Sequence, residues 1–183
     1  IVNKIQTADP AGVEEVMANV RRVNPDAMVL KAASPLTVDD PSVLSGKKVL
    51  AVEDGPTLTH GGMRYGAGVL GARQAGAAEI VDPRPFLVGE LKDTFEKYPG
   101  LGALLPAMGY GDAQVADLEA TIRRAAEGGV EAVAIGTPID LARLVEISIP
   151  HTRVRYELAV QGKPDLSDAL APILRGANKS AAD

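Results

Sequence analysis

Glu53, Asp54, His60 and Arg64 crowd into one short stretch, Val52-Glu53-Asp54-Gly55-Pro56-Thr57-Leu58-Thr59-His60-Gly61-Gly62-Met63-Arg64, which offers acid, base and cation together. The adjacent carboxylates of Glu53 and Asp54 read as ligands for a magnesium ion, which takes oxygen donors, or as caps for the turn and helix that follow. His60, between Thr59 and the Gly61-Gly62 pair, reads as a proton shuttle or phosphate partner; the other reading is a loop histidine bonded to a backbone carbonyl. Thr57 and Thr59 have hydroxyls for phosphate oxygens or for local turns. Gly55, Gly61 and Gly62 leave backbone N–H groups that can approach an anion closely. Arg64 sits at the start of a helical pattern, where the helix dipole disfavours a cation. That placement points to an anionic partner or to a surface ion pair.

Three later segments carry similar residues. Arg84 stands between Pro83 and Pro85, which stiffen the chain and either aim the guanidinium at an anion or simply make a rigid connector. Gly136-Thr137-Pro138-Ile139-Asp140 supplies Thr137 as a phosphate ligand and Asp140 as an acid for the first turn of a helix. His151 reads as structural, and Arg153 and Arg155 as solvated on one face of a strand.

The elements that must position these residues alternate along the chain, short apolar runs with helical patterns, which predicts an α/β fold with a mostly parallel, Rossmann-like three-layer sheet. Strands are expected at 27–32, 48–52, 79–81, 103–105, 132–135 and 154–158, the last at a sheet edge. Helices are expected at 10–23, 63–75, 88–97, 112–126, 139–145 and 165–174. Ligands bind at the carboxyl ends of strands in such sheets. The loops at 53–62, 82–85, 108–112 and 136–140 all fall at that end, whereas the opposite loops are plain. A strand, a glycine-rich loop and a helix also place backbone N–H groups and a helix N-terminus before an anion. The predicted ligand is therefore an anionic, phosphorylated small molecule.

Composition narrows the class. The chain has 183 residues, a net charge of −5 and no cysteine. The acidic balance argues against a nucleic-acid partner, and no apolar run is long enough to span a membrane. Absence of cysteine removes disulfides and thiolate metal sites and fits a cytoplasmic protein. The chain opens on Ile1-Val2-Asn3-Lys4 rather than Met, which reads as the end of a strand and suggests the C-terminal part of a longer protein. Three parts are expected: 1–40 as the end of a truncated P-loop domain, 41–176 as the Rossmann-like domain and 177–183 as a disordered tail. Asn3-Lys4-Ile5-Gln6 resembles the Asn-Lys-x-Asp base-recognition loop of P-loop GTPases, and Lys31-Ala32-Ala33-Ser34 stands where those proteins keep a Ser-Ala-Lys segment. Asn3, Lys4, Gln6 and Ala32 are thus candidates for holding a nucleotide base. Gln6 replaces the acid that reads guanine, which leaves adenine open.

Longer segments carry a second resemblance. Lys31-Ala32-Ala33-Ser34-Pro35, the 52–63 stretch, Val81-Asp82-Pro83-Arg84-Pro85, Pro106-Ala107-Met108-Gly109-Tyr110-Gly111 and Ile135-Gly136-Thr137-Pro138-Ile139-Asp140-Leu141 together resemble the C-terminal half of the cyclic 2,3-diphosphoglycerate synthetase family. The resemblance implies an enzyme driven by ATP or GTP, with Mg2+, that closes an intramolecular phosphoanhydride on 2,3-diphosphoglycerate. In it His60, Arg64 and Arg84 would be the catalytic residues, Gly55, Thr57, Thr59, Gly61, Gly62 and Thr137 the phosphate contacts, and Glu53 and Asp54 the metal ligands. No Gly-x-x-x-x-Gly-Lys-Ser/Thr segment occurs in the sequence, so this chain would supply the substrate half and be inactive alone. The alternative is a non-catalytic domain that senses an anion or associates with a second copy.

Overall fold

A computed structural model describes residues 1–180, with side chains described through 174. In chain order the elements are α1 (Pro10–Val23), β1 (Ala32–Ala33), β2 (Leu36–Val38), β3 (Lys48–Asp54), α2 (Gly55–Gly61), α3 (Ala67–Gln74), β4 (Glu79–Ile80), α4 (Glu90–Lys97), β5 (Leu105–Ala107), α5 (Asp112–Glu127), β6 (Ala132–Gly136), β7 (His151–Tyr156), β8 (Ala159–Val160) and α6 (Leu166–Ser180). Contacts divide the chain into two compact units, Leu36–Arg155 and the pair of segments Ile1–Pro35 with Tyr156–Asp183.

The larger unit is an α/β sandwich of three layers. Its six-stranded sheet runs β2-β7-β6-β3-β4, and β5 also pairs with β3. Parallel pairing joins β3 to β4, β5 and β6, and β6 to β7. Because β6 takes Val49 to Glu53 along one edge of β3, β4 and β5 share the other: β4 beside Lys48 and Val49, β5 beside Val52 to Asp54.

Strand alternation sorts the core into two faces. Leu50, Val52, Val133 and Ile135 pack with Leu118 and Ile122 of α5 and Leu91 and Phe95 of α4. Val49, Ala132, Ala134 and Val154 pack with Ala72 of α3. Each large side chain taken fully from water there stabilises the fold by about 1.5–3 kcal/mol. The α3 face is built from small residues because the helix lies close: a Cβ on Gly71 would meet Val154 Cγ1 at 2.5 Å. Helix α5 forms where Leu118, Ile122 and Ala125 recur on one buried face, and it stops at Gly128 and Gly129, the latter at φ +97°.

The other unit contains α1, β1, β8 and α6. Strands β1 and β8 are antiparallel, and Val2 bridges Lys31 in parallel. Pro10 opens α1, with Asp9 as N-cap in extended conformation.

Several elements differ from the sequence expectation. The helix expected at 63–75 is two helices, and much of the predicted glycine loop is α2. Strand β2 lies inside the polar connector and forms the edge; β7, read as an edge strand, sits between β2 and β6. The helix expected at 139–145 is one 3-10 turn, Leu141–Arg143. The terminal helix, expected to end at Leu174, runs to Ser180. Of the tail expected at 177–183, residues 181–183 lie outside the described residues.

Candidate functional site

The carboxyl ends of β3, β5, β6 and β7 form a rim in the larger unit, and Glu53 is its most enclosed charged residue, 2% exposed. It points toward α3. Its Oε1 accepts the N–H of Val69 at 2.8 Å and of Gly66 at 3.2 Å. Three glycines make room for it. A Cβ on Gly66 or Gly136 would stand 2.5 Å from Oε2, and one on Gly68 3.2 Å from Oε1. The helix N-terminus that was expected to receive a phosphate is thus occupied by this chain's own carboxylate. Burial pushes the Glu53 carboxyl up from its ordinary value, against the lowering effect of the backbone donors, and Asp54 pushes it the same way.

Asp54 ends β3 on the opposite face, half-buried, where its Oδ2 accepts the Thr57 hydroxyl. Adjacent residues of a strand point to opposite sides, so Glu53 and Asp54 cannot close together on one ion. This pair does not fit magnesium, and among the described residues no three acidic or histidine side chains converge as a metal site. Tyr110 follows β5, which pairs with Asp54. Burial and the Asp54 charge raise its hydroxyl above its ordinary value, and that hydroxyl is enclosed without a hydrogen-bond partner among the described residues.

The remaining candidates fall into place around this rim. Gly55 packs against the end of β5, where a Cβ would stand 2.9 Å from the Ala107 carbonyl oxygen. Thr59 donates to the Gly55 carbonyl at 3.1 Å, inside its own helix. Gly61 and Gly62 close the C-terminus of α2: the Gly62 N–H donates to Leu58 O, and Gly62 takes φ +61°. The backbone expected to cradle phosphate therefore makes a helix cap. His60 and Arg64 are exposed, and neither side chain has a hydrogen-bond or ion-pair partner among the described residues. Thr137 is buried and donates to the Ile139 carbonyl at 3.0 Å.

Arg84 is committed elsewhere. Its Nη1 meets Asp82 at 2.6 Å, its Nη2 donates to Leu101 O at 2.6 Å, and its guanidinium stacks 4.8 Å from the Phe95 ring centroid. The next amide, Gly102 N–H, donates to the Arg64 carbonyl at 3.1 Å. Arg84 thus pins the segment that in turn pins the backbone of Arg64.

Arg153 and Arg155 share a strand face as expected, but neither is simply solvated. Arg155 grips Asp39 through Nε at 2.8 Å and Nη2 at 2.7 Å, which holds the Asp39 carboxyl below its ordinary value. Arg153 reaches the loop after β6, where Nη2 donates to Pro138 O at 3.2 Å. In the sequence Tyr110 has no assigned role, and Arg153 reads there only as a solvated strand residue. A bulky residue between Gly109 and Gly111 was the available sign for the first; nothing in the sequence distinguished Arg153 from Arg155.

In the smaller unit the candidate base-binding residues do come together. Asn3 donates to Ser34 Oγ at 2.9 Å and accepts the Lys4 N–H at 2.7 Å. The Gln6 amide donates to Ser34 O at 3.0 Å and accepts the Ser34 N–H at 3.3 Å. Lys4 takes φ +61°, and Ala32 is fully buried. Both amides are spent on joining two loops.

No protein-family profile matches the sequence. The chain is similar to the arginine synthetase ArcE of Thermococcus kodakarensis, with 51% identity over 170 residues, 93% of this chain and 37% of that protein. It spans little more than a third of the length of that relative.

Proposed function

We propose that this chain is the acceptor-substrate part of a nucleotide-dependent bond-forming enzyme, and that its rim holds arginine as the product. The similarity to a protein named arginine synthetase supports the compound. The single observation that carries the reading is the charge at the head of the central strand. Asp54 stands half-buried at the end of β3, near an enclosed Tyr110 hydroxyl that burial first and the Asp54 charge second raise above its ordinary value, while Glu53 already fills the nearby helix N-terminus. A carboxylate beside an unpartnered hydroxyl suits a guanidinium, which brings several N–H donors in a planar fork.

The exposed and unpartnered side chains of His60 and Arg64 favour a second reading, in which the acceptor is a phosphorylated acid such as 2,3-diphosphoglycerate. Calorimetric titration of the chain with arginine and, separately, with 2,3-diphosphoglycerate separates the two. We expect arginine to bind and Asp54→Asn to weaken it at least tenfold, because a charged hydrogen-bond partner contributes about 1.5–3 kcal/mol. Binding of the phosphorylated acid without binding of arginine would overturn the first reading.

A further inference from the structure

Arg153 and Arg155 differ in one respect that their common strand face makes plain. The side-on fork of Arg155, Nε with Nη2, is filled by Asp39. The same fork of Arg153 is half filled: Nη2 donates to Pro138 O, whereas Nε is enclosed and has no partner among the described residues. Its carboxylate contact is loose. Nη1 lies 3.7 Å from Asp140 Oδ2, and that oxygen is shared with Arg143 Nε at 3.3 Å. Three guanidiniums here meet two carboxylates, Asp39 and Asp140. Among the described residues the cluster is one negative charge short, and an N–H of a cation is left unsatisfied in it.

The position fits a ligand that also reaches Asp54. Val52, Ile135 and Arg153 stand in one row across β3, β6 and β7, and Asp54 lies two residues beyond Val52 on the same face. Two strand spacings across and two residues along separate the backbones of Arg153 and Asp54 by about 12 Å, a span that their side chains reduce to the length of an extended arginine molecule.

We infer that Arg153 is an oxyanion-binding group, its half-filled fork and its loose contact with Asp140 receiving either the carboxylate of an amino acid or a phosphate oxygen. The choice of arginine as a probe rests on the function proposed above; the assignment of Arg153 to an oxyanion does not. Guanidinium forks match carboxylate and phosphate alike, so the source must be read by experiment.

The test is a titration of the 183-residue chain with three probes: L-arginine, agmatine, which keeps the guanidinium and lacks the carboxylate, and inorganic phosphate. For a carboxylate source, arginine binds at least tenfold more tightly than agmatine, and Arg153→Gln brings arginine down to the agmatine level without weakening agmatine. For a phosphate source, arginine and agmatine bind alike and phosphate binding disappears in Arg153→Gln. Phosphate binding that depends on Arg153, with no binding of arginine or agmatine, would end the arginine reading and keep the oxyanion assignment. If no probe distinguishes Arg153→Gln from the parent chain, or if none binds, the assignment is overturned. Arg153→Lys keeps the charge and loses the fork. It provides the same comparison should the glutamine variant fail to fold, and amide chemical shifts at Thr137 and Asp140 report whether the probe reaches this loop.

Discussion

Replacing Gly66 by alanine tests the enclosure of Glu53 directly. Gly66 has φ −129° and ψ −156°, extended backbone that alanine adopts without strain. On backbone grounds alone the substitution should stabilise the protein by about 0.4–1 kcal/mol, since it restricts the unfolded chain. The added Cβ, however, meets three atoms of one side chain: Glu53 Oε2 at 2.5 Å, Cδ at 2.8 Å and Oε1 at 3.1 Å. That side chain has little room to retreat, because Oε1 is tied to Val69 and Oε2 faces the close backbone of Gly136. Overpacking of this kind costs about 1–3 kcal/mol, and loosening a bond to a charged acceptor adds about 1.5–3 kcal/mol. The net expectation is destabilisation by about 2–4 kcal/mol, a fall in Tm of about 5–15 °C for a chain of this size. Urea unfolding followed by circular dichroism measures it. A variant that unfolds at or above the parent midpoint would show that Glu53 moves aside freely, and the account of the cradle would fail. Adding Glu53→Ala removes the obstacle, so the double variant should resemble Glu53→Ala alone, with a coupling above about 1 kcal/mol.

Two further outcomes follow from the same geometry. Because the Glu53 carboxyl is raised above its ordinary value, its contribution to stability is complete below about pH 4.5 and is lost as pH rises through the folded value. Glu53→Gln should therefore flatten the decline of stability toward neutral pH. A parallel decline in parent and variant, measured by urea midpoints across the range, would contradict this. Arg84→Lys loses the bond to Leu101 O and the stacking on Phe95 and should cost about 1–2 kcal/mol. It should also speed hydrogen exchange at the Gly102 amide, which bonds the Arg64 carbonyl; unchanged exchange there would refute the link between Arg84 and the Arg64 loop.

Much of the fold was legible because local pattern and tertiary role coincide. The continuous apolar run of β3 and the spacing of Leu118, Ile122 and Ala125 in α5 each demand one kind of burial. Helix α2 was hidden by its own residues: Gly55, Pro56, two threonines and Gly61 read as a turn, and the packing of Leu58 under the rim decides otherwise. Strand β2 was hidden by its edge position among polar neighbours. The carboxyl-end rim was foreseen, since strand direction alone determines it. Its charge was not foreseen, because whether a helix N-terminus is vacant depends on where a carboxylate thirteen residues before Gly66 returns, and spacing along the chain does not carry that information. The roles of Arg84 and Arg153 escaped for the same reason, since each is defined by a carbonyl oxygen, Leu101 O or Pro138 O, distant in sequence.

The two borders of β3 are supported in different ways. On the β6 side five consecutive residues are held together, whereas on the other side two short pieces grip it separately, β4 low and β5 high. The upper piece is nonetheless core: Leu104 and Leu105 are fully buried and Ala107 is 1% exposed, so packing as well as pairing holds the three rungs beside Asp54. A molecule that binds at Asp54 therefore meets a border that is already set, and the turn bearing Tyr110 starts from an anchored strand.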